Sequence, residues 1–325
     1  MKHFVVLLGL VAWLAAAPMH AGELVRVEAS VDAMGSTYTV ALYGESRDQL
    51  EAIVEQAFEE VRRLDRMLSN YRRDSEWSEV NRFAAQRPVR VTPELFRLLE
   101  RCLEYSRRGE GAFDISVGPL MKVWGFYRGS GRLPDKQEVR KALETVGYRH
   151  VLLDAEHRSV RFDRPGVELD PGGIGKGYAV DRMADVLREN GVSSGLVSAG
   201  SSSIYALGTP PGAQGWKVSI RHPRNSGQAV AEVYLRNESM STSGNYEKFF
   251  QANGRIYSHI MDPRTGFPAS GMLSVSVIAP TTLDSEAWTK PIFINGRAWA
   301  ARNKMEASRV FLCEDKKELS CAWLQ

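Results

Sequence analysis

Four glycines surround one lysine in Glu168-Leu169-Asp170-Pro171-Gly172-Gly173-Ile174-Gly175-Lys176-Gly177-Tyr178. The apolar residues that follow predict a helix over 172–190 that stops at Gly191, preceded by a short strand over 167–169. Glycines at a helix start leave backbone N–H groups uncovered, the helix dipole adds a partial positive charge, and Lys176 adds a full one. That combination suits a phosphate or pyrophosphate. Neither common nucleotide fingerprint is present: a P-loop needs Ser or Thr where Gly177 stands, and G-x-G-x-x-G counted from Gly173 or Gly175 meets Tyr178 or Val180. The same glycines would also let a strand and a helix pack closely, so both readings stay open at this point.

A second group of chemically capable residues comes later, in Ser241-Thr242-Ser243-Gly244-Asn245-Tyr246 and Tyr257-Ser258-His259-Ile260-Met261-Asp262-Pro263-Arg264-Thr265-Gly266. Asp-Pro and Thr-Gly mark a tight turn. His259 stands just before it, the one histidine in a segment dense with polar groups, and it suits either proton transfer or a structural hydrogen bond. The remaining histidines show no partner pattern.

These residues need elements to hold them. Val25–Ala29 and Thr37–Tyr43 have strand character around a Met34-Gly35-Ser36 turn. From Asp48 to Leu68, apolar residues at three- and four-residue intervals predict a long helix. A second helix runs from Thr92 as N-cap, with Pro93 at its first position, to Gly109 as its stop. Asp135–Val146 reads as a short helix and Val151–Phe162 as a hairpin. Further strands are expected at 196–198, 216–220, 230–235 and 274–278, with a closing hairpin from Arg309 to Trp323. The class is α+β, with a mixed or antiparallel sheet and flanking helices in two packed lobes.

Composition narrows the function. The 325 residues are 43% hydrophobic and carry a net charge of +3 from nearly balanced acids and bases, without the basic blocks of a nucleic-acid binder. Met1-Lys2-His3, the apolar run Phe4–Ala17 and the small residues up to Gly22 read as a signal peptide over 1–21, cleaved near Ala21. The apolar run is shorter than the ~20 residues of a spanning helix. Residues 22–325 are expected to form one domain with no membrane span. Cys313 and Cys321 flank a polar turn between two strand-like runs and are expected to be bridged, whereas Cys102 sits among Leu98, Leu99 and Leu103 as a buried thiol.

Taken in order, Met34-Gly35-Ser36, Leu68-Ser69-Asn70-Tyr71, Gly111-Ala112-Phe113-Asp114, the glycine-lysine segment, Ser241–Gly244, His259–Gly266 and Ala279-Pro280-Thr281 resemble the flavin transferase family often called ApbE, the FAD:protein FMN transferases. The resemblance implies a T-fold-related, two-lobed fold and an FAD site shaped by both lobes. It also implies a magnesium ion beside the pyrophosphate and transfer of FMN to a Thr or Ser hydroxyl of an acceptor, an exported redox flavoprotein. Under it, Met34 and Tyr71 border the flavin or its ribityl chain, and Ala112, Phe113 and Asp114 contact the nucleotide. Asp170 and Lys176 hold polar groups near the phosphates, and His259 and Ile260 line the site, with His259 the catalytic proton carrier. Gly173 would offer its carbonyl to magnesium.

The sequence departs from the family at its second metal block, Asp followed four residues later by Thr. Here Glu286 takes the Asp position and Lys290 the Thr position. Glu286 with Thr289 is the expected metal pair, Asp284 a substitute if the register slips, and the Lys290 ammonium would repel a cation and take over part of its charge. A second departure is Gly200-Ser201-Ser202, where Gly-Gly and an acidic or amide residue are common. Two other activities share these residues: an FAD pyrophosphatase using water as nucleophile, and a non-catalytic FAD-binding protein with a degenerate metal site.

Overall fold

A computed structural model describes residues 24–129, 131–303, 305 and 309–324, so the signal peptide expected over 1–21 lies outside the described residues. Val25–Ala33 (β1) and Ser36–Gly44 (β2) pair antiparallel from end to end. Met34 and Gly35 join them, both at positive φ (50° and 68°). A two-residue hairpin loop needs that twist, which glycine adopts freely and methionine only under local restraint. The restraint is a hydrogen bond of 3.1 Å from the Met34 N–H to Asp65 Oδ1.

The main sheet continues through Ser194–Ala199 (β3), Ser203–Leu207 (β4), Glu238–Gly244 (β5), Met272–Ala279 (β6), Arg309–Glu314 (β7) and Ser320–Trp323 (β8), in that spatial order. Every neighbouring pair is antiparallel. It is a meander whose connections carry the rest of the protein. Alternation along the strands sends Tyr38, Val40 and Leu42 into a core shared with the helices. Ala41, Met240, Ile278 and Phe311 go to the other face, covered by the hairpin Trp216–Arg221 and Ala229–Leu235.

Three helices cover the first face: Arg47–Leu68 (α1), Gly175–Glu189 (α3) and Thr282–Arg302 (α4); Pro93–Arg108 (α2) packs behind them. The Ser46 side chain caps α1, and Thr92, Pro93 and Gly109 bound α2 as the sequence predicts. The helix read from Gly172 begins three residues later. Pro171-Gly172-Gly173 forms a turn instead, in which the Asp170 carboxylate accepts the Gly172 N–H and the Pro171 carbonyl accepts those of Ile174 and Gly175. The strand expected over 167–169 is reduced to a single bridge between Val117 and Glu168. Asp181 of α3 accepts the Thr282 and Leu283 amides at 2.6 and 2.8 Å, which fixes the start of α4 against α3. Burial pushes the Asp181 carboxyl up to about 6. No helix among the described residues is long and apolar enough to cross a membrane.

Cys313 and Cys321 lie opposite each other on β7 and β8 and are bridged; Cys102 is a buried free thiol. Closing so short a loop is worth about 2–3 kcal/mol on chain-entropy grounds. Cys313→Ser is therefore expected to lower unfolding stability by that amount, read from denaturant midpoints. Thiol titration of the unreduced, unfolded protein should find one reactive group.

Candidate active site

One cavity of about 640 Å³ opens between the α3 start, the Met34 turn, the 111–117 loop and the 259–263 turn. That volume is in the range of small-ligand clefts. Met34 and Tyr71 stand on its border, Tyr71 largely exposed at 76% and edge-on to Tyr127. Ala112, Phe113 and Asp114 form one wall, and Asp170, Gly173 and Lys176 another. His259, Ile260, Glu286 and Lys290 complete the lining. Eleven of the twelve residues nominated from the sequence thus border a single space.

Thr289 is the exception. It is fully buried outside the cavity lining, with its hydroxyl spent on Ser243 Oγ and the Glu286 carbonyl, both at 2.7 Å. The rotation of α4 that presents Glu286 and Lys290 to the cavity turns Thr289 toward β5. The expected metal role for Thr289 has no geometry to support it.

The two aspartates are anchored as well as placed. Asp114 accepts the Ser116 N–H at 2.8 Å and its hydroxyl at 2.7 Å, together with the Tyr148 N–H. Leu169, which carries Asp170, is clamped by Asn81: its N–H donates to Asn81 Oδ1 at 2.7 Å and its carbonyl accepts from Asn81 Nδ2 at 3.0 Å. Trp77 Nε1 donates to the same carbonyl at 3.1 Å. Burial raises both carboxyls above the usual range, opposed at Asp114 by its Ser116 and Tyr148 hydrogen bonds and at Asp170 by Tyr127 and the Gly172 N–H. Asn81, Trp77 and Tyr127 escape sequence reasoning, because residues dozens of positions apart leave no spacing signal.

The glycine segment is less open than a phosphate cradle would require. Gly175 and Gly177 are buried, and the Gly177 N–H donates to Glu286 Oε2. The α3 N-terminus therefore already faces a carboxylate from α4. The cation that reaches the cavity from this segment is Lys176, whose ammonium donates to Ser202 Oγ in the departed Gly200-Ser201-Ser202 block.

Three ammonium groups act on His259. Its ring is pushed down to about 4, mainly by burial; a hydrogen bond to the Lys248 carbonyl opposes the shift, and the charges of Lys248, Lys290 and Lys176 add to it. The carbonyl of Lys248 accepts from His259 Nδ1 at 3.1 Å. A carbonyl can only accept, so Nδ1 carries the proton and Nε2 keeps its lone pair. Lys290 is likewise pushed down to about 8, mainly by burial; the Glu286 carboxylate opposes the shift and, more weakly, Lys176 adds to it.

The sign for stability follows. The unfolded chain protonates His259 near 6.5 and the folded chain only near 4, so its contribution is intact above pH 6.5 and is lost as pH falls toward 4. Discounted for water in the cavity, the expected loss at pH 5 is about 1–2 kcal/mol. Between pH 7 and pH 5 the native protein should lose about that much more stability than His259→Gln, read from denaturant midpoints, because the raised Asp181 carboxyl acts equally in both.

The residues do not fit the divalent cation expected here. Of the expected donors, the Thr289 hydroxyl is turned to Ser243 and one Glu286 oxygen takes the Gly177 N–H. Lys290 Nζ donates to the Glu286 carbonyl at 2.9 Å and lies 3.9 Å from Glu286 Oε1. A divalent ion about 4 Å from an ammonium is repelled by roughly 8 kcal/mol at an effective dielectric of ~20.

The ApbE family model matches residues 34–310 of the chain. An FAD:protein FMN transferase of Klebsiella pneumoniae (strain 342) is 32% identical over 290 residues, covering 87% of this chain and 88% of that protein. One from Treponema pallidum (strain Nichols) is 35% identical over 263 residues, covering 76% and 72%. Among solved structures, the apo flavinyl transferase ApbE of Pseudomonas stutzeri superposes with a TM-score of 0.83 at 29% identity, covering 94% of this chain and 97% of that one. The ApbE protein of Thermotoga maritima also gives 0.83, at 27% identity, covering 91% and 96%.

Proposed function

The chain belongs to the ApbE family, and from that premise we propose that it is an FAD:protein FMN transferase that joins the FMN half of FAD to a Thr or Ser hydroxyl of an acceptor protein and releases AMP. One observation carries the reading: Lys176, Lys248 and Lys290 line the same cavity as His259, whose Nδ1 is spent on the Lys248 carbonyl. That is a site prepared for a polyanion with a base beside it.

The acceptor hydroxyl oxygen attacks the FMN-side phosphorus, an oxygen–phosphorus bond forms, and the phosphorus–oxygen bond to AMP breaks. The hydroxyl proton passes to His259 Nε2. The tautomer set by the Lys248 carbonyl leaves that nitrogen free, and the pyrophosphate's negative charge offsets the lysines and raises the ring's basicity from its value in the empty cavity. Lys176 and Lys290 offset charge on the phosphoryl oxygens, and the cavity walls hold nucleophile and leaving group in line. Magnesium takes no part in these steps, because the Lys290 ammonium stands at Glu286 where the ion would need its carboxylate.

The Cys313–Cys321 bridge supports an oxidising compartment, in keeping with the leader-like N-terminus. The acceptor we propose is an exported redox flavoprotein. Incubation with FAD and a Thr-bearing acceptor should give covalently flavinylated acceptor and one AMP per FMN transferred. FMN and AMP released equally without acceptor would indicate a pyrophosphatase, and FAD bound but unchanged a binding protein.

A further inference from the structure

Glu286 and Gly173, the two residues by which the family resemblance would hold a divalent cation at the cavity, have a third residue beside them. Lys290 comes from one turn after Glu286 on α4, is tethered through Nζ to the Glu286 carbonyl at 2.9 Å, and stands 3.9 Å from its carboxylate. Its Cε lies 3.6 Å from the position a Cβ on Gly173 would take. The lysine side chain thus takes up the gap beside both expected ligand residues. The other Glu286 oxygen is occupied by the Gly177 N–H, and the Thr289 hydroxyl is turned to Ser243. Lys290 lines the same cavity as Lys176 and His259.

We propose that Lys290 is a built-in replacement for the divalent cation in this chain, so that the dinucleotide's pyrophosphate is met by a tethered ammonium and binds without added metal. The proposal rests on the flavin-transferase reading. Glu286 then acts as a positioning residue: it holds the ammonium and binds the α3 start in one contact set. The substitutions at 286 and 290 become a coupled exchange rather than the decay of a metal site, since a lysine reaching toward a retained carboxylate keeps positive charge where the phosphoryl oxygens need it.

The test measures FAD affinity by flavin fluorescence and calorimetry, in metal-free buffer with chelator and again with millimolar magnesium. The native protein should bind FAD with dissociation constants within about twofold in the two buffers, because magnesium adds no charge-assisted contact. Lys290→Thr, which frees the gap, should bind about 10–100-fold more weakly in chelator, the worth of one charged hydrogen bond. It should recover with magnesium. Lys290→Arg keeps the cation and should stay indifferent to metal, and melting curves of each variant report whether it folds. A native protein that loses tenfold or more in chelator would overturn the proposal, as would a folded Lys290→Thr with undiminished affinity there. Absence of FAD binding under every condition would instead defeat the flavin reading on which the proposal stands.

Discussion

His259→Gln is expected to slow FMN transfer by about 10²–10⁴-fold, the usual worth of a positioned proton acceptor, while changing FAD affinity by less than about threefold. The split follows from the charge state. At neutral pH the ring is uncharged, so it gives the bound pyrophosphate no ionic attraction, and its loss should appear in the chemical step. Single-turnover transfer and equilibrium FAD binding separate the two. The native rate should also fall on the acid side with a midpoint above the about 4 of the empty site, because the bound polyanion favours the imidazolium. A variant that transfers within fivefold of the native rate would remove His259 from the reaction.

Gly177→Ala is expected to cost about 3–5 kcal/mol, combining overpacking with the loss of a buried charged hydrogen bond, and to abolish FAD binding with it. A Cβ at this position would stand 2.5 Å from the Thr282 carbonyl oxygen and 2.7 Å from Glu286 Oε2. The first of these is backbone at the start of α4 and cannot swing aside. Relief requires parting α3 from α4, which also strains the Asp181 cap on Thr282 and Leu283. Gly173→Ala is the control: its nearest neighbour is a Phe113 ring carbon at 3.3 Å, a side chain on the cavity wall rather than backbone, so a loss under about 1 kcal/mol is expected. Equal denaturant midpoints for the two variants would contradict this packing.

What the sequence disclosed and what it hid have the same physical basis. α1 and α2 were legible because their apolar residues repeat on one face and their ends carry capping residues. Met34-Gly35 and the Cys313–Cys321 pair were legible because a turn and a crosslink leave local marks. β4 and β5 carry no alternating apolar strand signal: Ser203, Ser239 and Ser241 are buried without being apolar, and Ser239 and Ser241 bond to Ser285 of α4. α4 itself is buried on most sides and contains Pro291 and a break at Gly296, so it shows no amphipathic stripe. The site residues were found largely through family resemblance. The miss is Thr289, chosen as a substitute where the chain departs from the family pattern: the rotation of α4 against β5 turns its hydroxyl to Ser243.

The central claim is that a dinucleotide's linked phosphates lie between Lys176 and His259. A crystal structure of His259→Gln soaked with FAD tests it most directly. Both phosphorus atoms are expected within the reach of Lys176 and Lys290, with the flavin toward Met34 and Tyr71. A dinucleotide bound elsewhere, or phosphates turned to solvent away from both lysines, would contradict the account.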